Sequence, residues 1–344
     1  MRADSDGGVG TIAAADADAR AATWQRVLAE AITDPAELWR VLALDPALLP
    51  SALSATRAFA LRVPRGFVAL MERGNPRDPL LLQVLPQAAE LLAVSGFSAD
   101  PLAEADCQAA PGLLTKYRGR ALLVVHGACA VHCRYCFRRH YPYESLPRGP
   151  RWWAAALAAI AADPDCHELI LSGGDPLLVP DAQLAELIAD AAAIAHLARL
   201  RVHTRLPVVL PERIGEELCR LLARSRLRCV VVLHANHPRE LSPAVAAACA
   251  RLRAAGCLLL NQSVLLAGVN DDPAVLAALS ERLAELGVVP YYLHALDRVA
   301  GAAHFLVDDA RARAIHRELS AMLPGWLVPR LVREVPGAAS KLPL

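Results

Sequence analysis

An α/β fold, with a parallel sheet curled into an incomplete barrel, is what this sequence predicts. Three observations predict it. Beyond residue 120, short β-branched or leucine-rich runs recur: ALLVVHG (121–127), HELILSGG (167–174), LRVHTRLP (200–207), RCVVVLHANHP (228–238), CLLLNQSVLL (257–266) and VVPYYLHALD (288–297). They return at roughly thirty-residue intervals, the size of a strand with its crossover helix. The segments between them carry helical periodicity. Six such units argue for a partial (β/α)6 barrel, with a flat doubly wound sheet as the alternative.

The elements follow in order. MRADSDGGVGTIAAADADAR is acidic and small-residue-rich, without a basic start and apolar centre, so residues 1–21 are expected to form a flexible tail and not a signal peptide. Residues 22–110 are expected to be an N-terminal helical region of helices and loops. There DPAELWRVLAL opens on the helix-entry pair Asp34-Pro35, and LLLQVLPQAAELL (80–92) is the clearest apolar stretch. Residues 111–300 form the barrel core. Within it, Ile214, Leu218, Leu221 and Leu222 mark one helix, and Ser242-Pro243 supplies an N-cap and a first-turn proline for another. Leu276, Leu279, Leu283 and Leu286 step by three, four and three, which builds one apolar stripe. Residues 301–344 are expected to hold a C-terminal helix, a strand and a lysine-bearing loop.

Composition narrows the function. A chain of 344 residues suits one large α/β domain with an attached smaller region. A formal net charge of +1 gives no case for nucleic acid or a membrane surface as partner, and no apolar run reaches the length of a spanning helix. Nine cysteines without a signal sequence point to reduced thiols and a cytoplasmic protein. Cys166, Cys219, Cys229, Cys249 and Cys257 are scattered in apolar or helical contexts and are expected to be small buried hydrophobes. Of 36 basic residues only Lys116 and Lys341 are lysines, so amine chemistry has two candidates.

In such folds the loops after the strands hold the active site. Polar residues gather there: Ser172–Asp175, His203–Arg205, His234–His237, Asn261–Ser263 and Asp297. The most specific signal follows the first run. HGACAVHCRYCFRRH (126–140) sets Cys129, Cys133 and Cys136 at spacings of four and three. Three thiolates hold three irons of a cubane [4Fe–4S] cluster and leave the fourth iron open to an exogenous chelator. Structural zinc is the alternative, as a non-catalytic binding module, with a fourth ligand drawn from His126, His132 or His140.

The C-x3-C-x2-C spacing after a strand, with Tyr135 before the last cysteine, resembles the radical S-adenosylmethionine (SAM) superfamily, whose open iron is chelated by SAM. SGGDP (172–176) resembles its glycine-rich SAM-binding turn, which implies SAM contacts from Ser172, Gly173, Gly174 and Asp175. Further motifs, with their spacings, resemble the lysine 2,3-aminomutase family from about residue 60 onward. PGAASK resembles the loop whose lysine carries pyridoxal phosphate (PLP), which implies that role for Lys341. KYRGR (116–120) stands where the family places PLP phosphate ligands, implying Tyr117 and Arg120, with Lys116 as an additional cation.

The resemblance implies more. Arg138, two places after the last cysteine, pairs with the substrate carboxylate, while Arg139 is a supporting or surface cation. Asp297 binds the distal ammonium of lysine. The family's second such aspartate stands seven residues before the PLP lysine; here that place holds Glu334, which keeps the charge and adds a methylene. His234, Gln262 and, more weakly, Arg205 match SAM-contacting positions. The implied reaction is a 1,2-amino shift that converts free L-lysine to β-lysine through a radical generated from SAM.

Catabolic members continue past the PLP lysine with a zinc-binding extension, whereas this sequence stops three residues after Lys341. CAVHCRYCFRRHYPY, PYYLHALDRVAGAAHF and SKLPL resemble the branch that supplies β-lysine for modification of elongation factor P. That branch implies a functional link to a ligase and to elongation factor P, and a homo-oligomer is compatible with it. The nearest rival is another amino-acid 2,3-aminomutase, catabolic or biosynthetic.

Overall fold

Strands lie in the sheet in the order in which the chain makes them. The computed structural model describes residues 24–344; the tail expected over residues 1–21 lies outside the described residues. One sheet runs from β1 (Gln108–Ala110) and β2 (Leu113–Leu114) through β3 (Arg120–His126), β4 (Glu168–Gly173) and β5 (Arg199–Thr204). It continues through β6 (Arg228–Leu233), β7 (Leu258–Val264), β8 (Val289–His294) and β9 (Arg330–Arg333) to β10 (Leu342–Pro343). β3 to β8 are the six runs singled out in the sequence. From β3 to β9 each strand pairs parallel with the next, while β1–β2, β2–β3 and β9–β10 pair antiparallel.

That order decides between the two expected architectures. A doubly wound sheet reverses its strand order at one point, and helices then cover both faces. Here the order never reverses. Crossovers of one hand therefore put every crossover helix on the same face, and the sheet curls inside them. The sheet stays open between β1 and β10, so the barrel is partial.

Local sequence accounts for the helices. Asp34 accepts from the amide of Ala36 and caps Pro35–Leu42. Ser242 accepts from Val245 and caps Pro243–Ala254. In Pro273–Glu285 the stripe of Leu276, Leu279 and Leu283 is buried, and each such leucine contributes about 1.5–3 kcal/mol. Leu218 and Leu222 do the same for Glu216–Arg224.

Two regions add to the expectations. LLLQVLPQAAELL makes only short turns, Pro79–Leu82 and the 3-10 turn Ala88–Leu91. Pro86 lacks an N–H and restricts Leu85, so the apolar run cannot continue as one helix. Past the helix Asp309–Met322, the expected C-terminal strand joins the barrel sheet as β9, a seventh parallel strand beside β8.

Candidate active site

The loops at the carboxyl ends of β3 to β9 surround one large cavity of about 670 Å³, and every residue expected to hold the cluster, SAM, PLP or substrate reaches its wall, whereas His126, His140, His237, Asn261 and Ser263 do not line it. The cysteines stand at one end, after β3, and Lys341 stands with Glu334 and Asp297, after β8 and β9.

The N-terminal region pins the cysteine loop. The amide of His132 donates to Arg62 O at 2.9 Å, and that of Arg134 to Gln83 O at 2.8 Å. Arg134 is wholly buried; its guanidinium forks onto Glu90 at 2.8 and 2.5 Å and donates to Phe59 O. Arg139, expected to be a supporting or surface cation, is buried on the same Glu90 at 2.8 Å and donates to Gly301 O. One acid thus fixes two arginines of the loop. A buried pair of this kind is costly to break, so the loop is held firmly.

The donor set fits a cluster. Burial, and then the neighbouring Cys133, push the Cys136 thiol up to about 12, and burial raises Cys129 as well. Crowded thiols resist ionisation until a cation arrives among them.

Glycines behind the loop have a reason different from the one their motif suggests. Gly173 has φ +133°, and a Cβ on Gly174 would stand 2.3 Å from Ala128 O. The amides of Gly174 and Asp175 donate to His126 O at 2.6 Å and Ala128 O at 2.9 Å. The close approach is made by the cysteine loop's own backbone. Gly174→Ala is accordingly expected to displace that loop and cut cluster affinity by roughly tenfold or more, read as iron and sulfide per chain after reconstitution.

Asp175 reaches the wall, but its carboxylate is engaged within the fold. It accepts from Thr204 Oγ1 at 2.7 Å and from the amides of Arg205, Leu206 and Leu177, tying the ends of β4 and β5 together. Burial, partly offset by these bonds, pushes its carboxyl up to about 6. Arg205 is likewise surrounded: its guanidinium donates to Tyr135 Oη and Gln83 Oε1, both at 2.7 Å, to Glu240 at 3.1 Å, and to the Cys133 sulfur. Gln83 and Glu240, which sequence reasoning passed over, therefore support the cysteine loop from two distant parts of the chain.

His234 and Gln262 meet at 3.0 Å across the ends of β6 and β7. Burial pushes His234 and His294 down to about 3 and His203 well below the usual range, so all three imidazoles are neutral. The Nε2 atoms of His203 and His294 are buried without a hydrogen-bond partner. His203 was marked only as part of a polar strand end, and His294 was not marked.

Strand pairing sets the other end. β10 folds back on β9 with Leu342 opposite Arg333, which brings Lys341 beside Glu334. Lys341 Nζ bonds Glu334 Oε2 and lies 5.8 Å from the Tyr292 ring centroid. Lys116 bridges Glu334 at 3.1 Å and Glu104 at 3.4 Å. Although burial opposes it, these lysines bring Glu334 down to about 2. Burial, and then the charge of Glu334, push Asp297 up to about 7.

Arg138 is buried on Glu104 through Nε at 2.6 Å and Nη2 at 2.8 Å, while Nη1 donates to Ser172 Oγ at 2.8 Å. The Arg120 guanidinium stacks 4.6 Å over the Tyr117 ring. Burial and the nearby Glu334 keep the Tyr117 phenol protonated, and its hydroxyl has no hydrogen bond of good geometry. An amine beside an acid, with a stacked arginine and a phenol on the same wall, fits the donor set of a phosphorylated aldehyde coenzyme.

The profile of the radical SAM superfamily matches residues 123–279. The chain is 52% identical to the L-lysine 2,3-aminomutase of Escherichia coli over 322 residues, covering 93% of this chain and 94% of that protein. It is 48% identical to the L-lysine 2,3-aminomutase of Haemophilus influenzae, covering 92% of this chain and 94% of that protein. With the L-lysine 2,3-aminomutase of Clostridium subterminale it shares 33% identity, covering 93% of this chain and 77% of that protein. The cysteine loop after β3, the partial barrel and these relatives agree: the chain belongs to the lysine 2,3-aminomutase family of radical SAM isomerases.

Proposed function

We propose that the protein converts free L-lysine to β-lysine with a [4Fe–4S] cluster on Cys129, Cys133 and Cys136, with SAM, and with PLP on Lys341. The observation that carries the reading is one cavity walled by the three cysteines at one end and by Lys341 with two acids at the other. When bound, the cluster with SAM supplies hydrogen-atom abstraction and PLP supplies an aldehyde that takes up an amine.

The chain's own residues bind, orient and exclude water. The Arg138 fork suits a substrate carboxylate, and Asp297 with Glu334 suits a distal ammonium. Tyr117 and Arg120 suit a phosphate. Lys116 has its charge engaged by two carboxylates, so it serves the phosphate less directly than the motif alone suggests. Ser172 and the Gly173-Gly174 backbone, with His234 and Gln262, line the cavity and would contact SAM. The neutral imidazoles of His203, His234 and His294 put no further cation beside a cationic substrate.

Incubating reduced enzyme with SAM and isotopically labelled L-lysine tests the reading. Labelled β-lysine is expected; turnover of another amino acid with lysine untouched would reassign the substrate. Two observations favour a role in elongation factor P modification over catabolism: the motifs of that branch and the glutamate at position 334. In this reading the β-lysine passes to a separate ligase. No helix among the described residues is long and apolar enough to cross a membrane.

A pH dependence follows from Asp297. Its carboxyl ionises near pH 7, and only the anion attracts an ammonium. Lysine affinity is therefore expected to rise with pH up to about 7, by up to about tenfold per unit below that value, and then to level off. Glu334, ionised down to about 2, contributes no slope in this range. A binding titration across this range reads the slope, and Asp297→Asn is expected to flatten it.

A further inference from the structure

We propose that Glu104 is the positioning residue that makes Arg138 selective for a carboxylate. The inference rests on the reading of Arg138 as the group that takes the substrate carboxylate. Glu104 comes from a different part of the chain, the turn Glu104–Cys107 just before β1, and no motif singled it out.

A guanidinium offers two edges on which a carboxylate can sit with both oxygens engaged. Glu104 occupies the Nε–Nη2 edge at 2.6 and 2.8 Å, and Ser172 takes one hydrogen of Nη1. One hydrogen on Nη1 and one on Nη2 remain for a second carboxylate. Both partners are buried, with side-chain exposures of 6% and 5%, so water cannot replace the clamp. A free arginine has four flexible torsions. With one edge fixed, the orientation of the other is fixed too, and binding loses less side-chain freedom.

The same carboxylate reaches toward the other end of the site. Lys116 lies 3.4 Å from Glu104 and 3.1 Å from Glu334, and Glu334 holds Lys341. Signs alternate along Arg138, Glu104, Lys116, Glu334 and Lys341. Glu104 pairs with both Arg138 and Lys116 and so joins the two cations. Burial opposes its ionisation, but Arg138 and Lys116 outweigh burial and keep it an anion.

A glutamine at this place keeps the size and loses the clamp. Its oxygen accepts on one arm only, and its amide hydrogens face those of Nη2. Arg138 then turns, and its second edge no longer points one way.

The test compares ligands that differ only at the carboxylate. PLP-loaded enzyme without SAM is titrated with L-lysine and with L-lysinamide, following the change in coenzyme absorbance as the amine binds. For the wild type, lysine is expected to bind more tightly than its amide. For Glu104→Gln, the ratio of the two dissociation constants is expected to shrink by about tenfold or more, through weaker lysine binding and nearly unchanged amide binding.

Loss of fold would lower the fraction of chains that respond without changing this ratio. If Glu104→Gln fails to fold, Glu104→Asp, which keeps the charge one methylene further back, is expected to shrink the ratio by a smaller factor. A ratio unchanged within about twofold in a folded variant would overturn the proposal. If the wild type binds another α-amino acid in place of lysine, the substrate reading fails, but the same comparison with that acid and its amide still decides the role of Glu104.

Discussion

Cys133→Ala is expected to yield a folded chain that holds no intact cluster and forms no β-lysine. In the proposed reading Cys133 is one of three ligands for three irons, and a fourth thiol does not stand in the loop to replace it. The lost reaction falls toward its uncatalysed rate. Since enzymes accelerate by at least about a millionfold, residual turnover should lie below about one part in ten thousand. The fold should survive, because the loop is pinned by the Arg134–Glu90 fork and by backbone bonds to Arg62 and Gln83, none of which uses the thiol. One bond is lost, that from Arg205 to the Cys133 sulfur, yet Tyr135, Gln83 and Glu240 still hold that guanidinium. Iron, sulfide and thermal unfolding measured on the same preparation check both halves. A cluster-free chain that still isomerises lysine would contradict the assignment.

Lys341→Ala carries the second large effect. It is expected to abolish tight retention of PLP and to lower turnover by about a thousandfold or more, because the amine proposed to receive the coenzyme is gone. The variant should fold. Lys341 sits on the short β10 pairing at the sheet edge, and its removal leaves Glu334 still paired with Lys116 at 3.1 Å. Glu334 should then be less strongly acidic, since the nearer of its two cations is missing. Coenzyme content after gel filtration, with unfolding temperature as the control, reads the outcome. Undiminished coenzyme would point to the other lysine, Lys116.

The two ends of the site differ in how far the sequence disclosed them. The cysteine trio, the glycine pair and the closing lysine are local patterns whose spacing carries chemistry, and all of them line the cavity. The six strands were legible because short β-branched or leucine-rich runs return at the spacing of a strand with its crossover helix. What joined these parts was not legible. Glu90, Glu104, Gln83 and Glu240 are single acids or amides in unremarkable stretches, and their value comes from contacts 34 to 157 residues away in the chain. The sequence offers no periodicity for such pairs. Gly174 was legible as a needed glycine, but its reason, contact with the backbone at Ala128, became visible only once β3 and β4 lay side by side. β9 was expected as a strand; only its parallel register with β8 reveals that it brings Glu334 to the same wall as Asp297.

The central claim is that the coenzyme amine faces the cysteine loop across one cavity, with Glu334 beside it. Borohydride reduction of the PLP-loaded protein, followed by peptide mapping, tests this most directly. The label is expected on the C-terminal peptide at Lys341. Label at Lys116, whose ammonium bridges Glu104 and Glu334, would contradict the account.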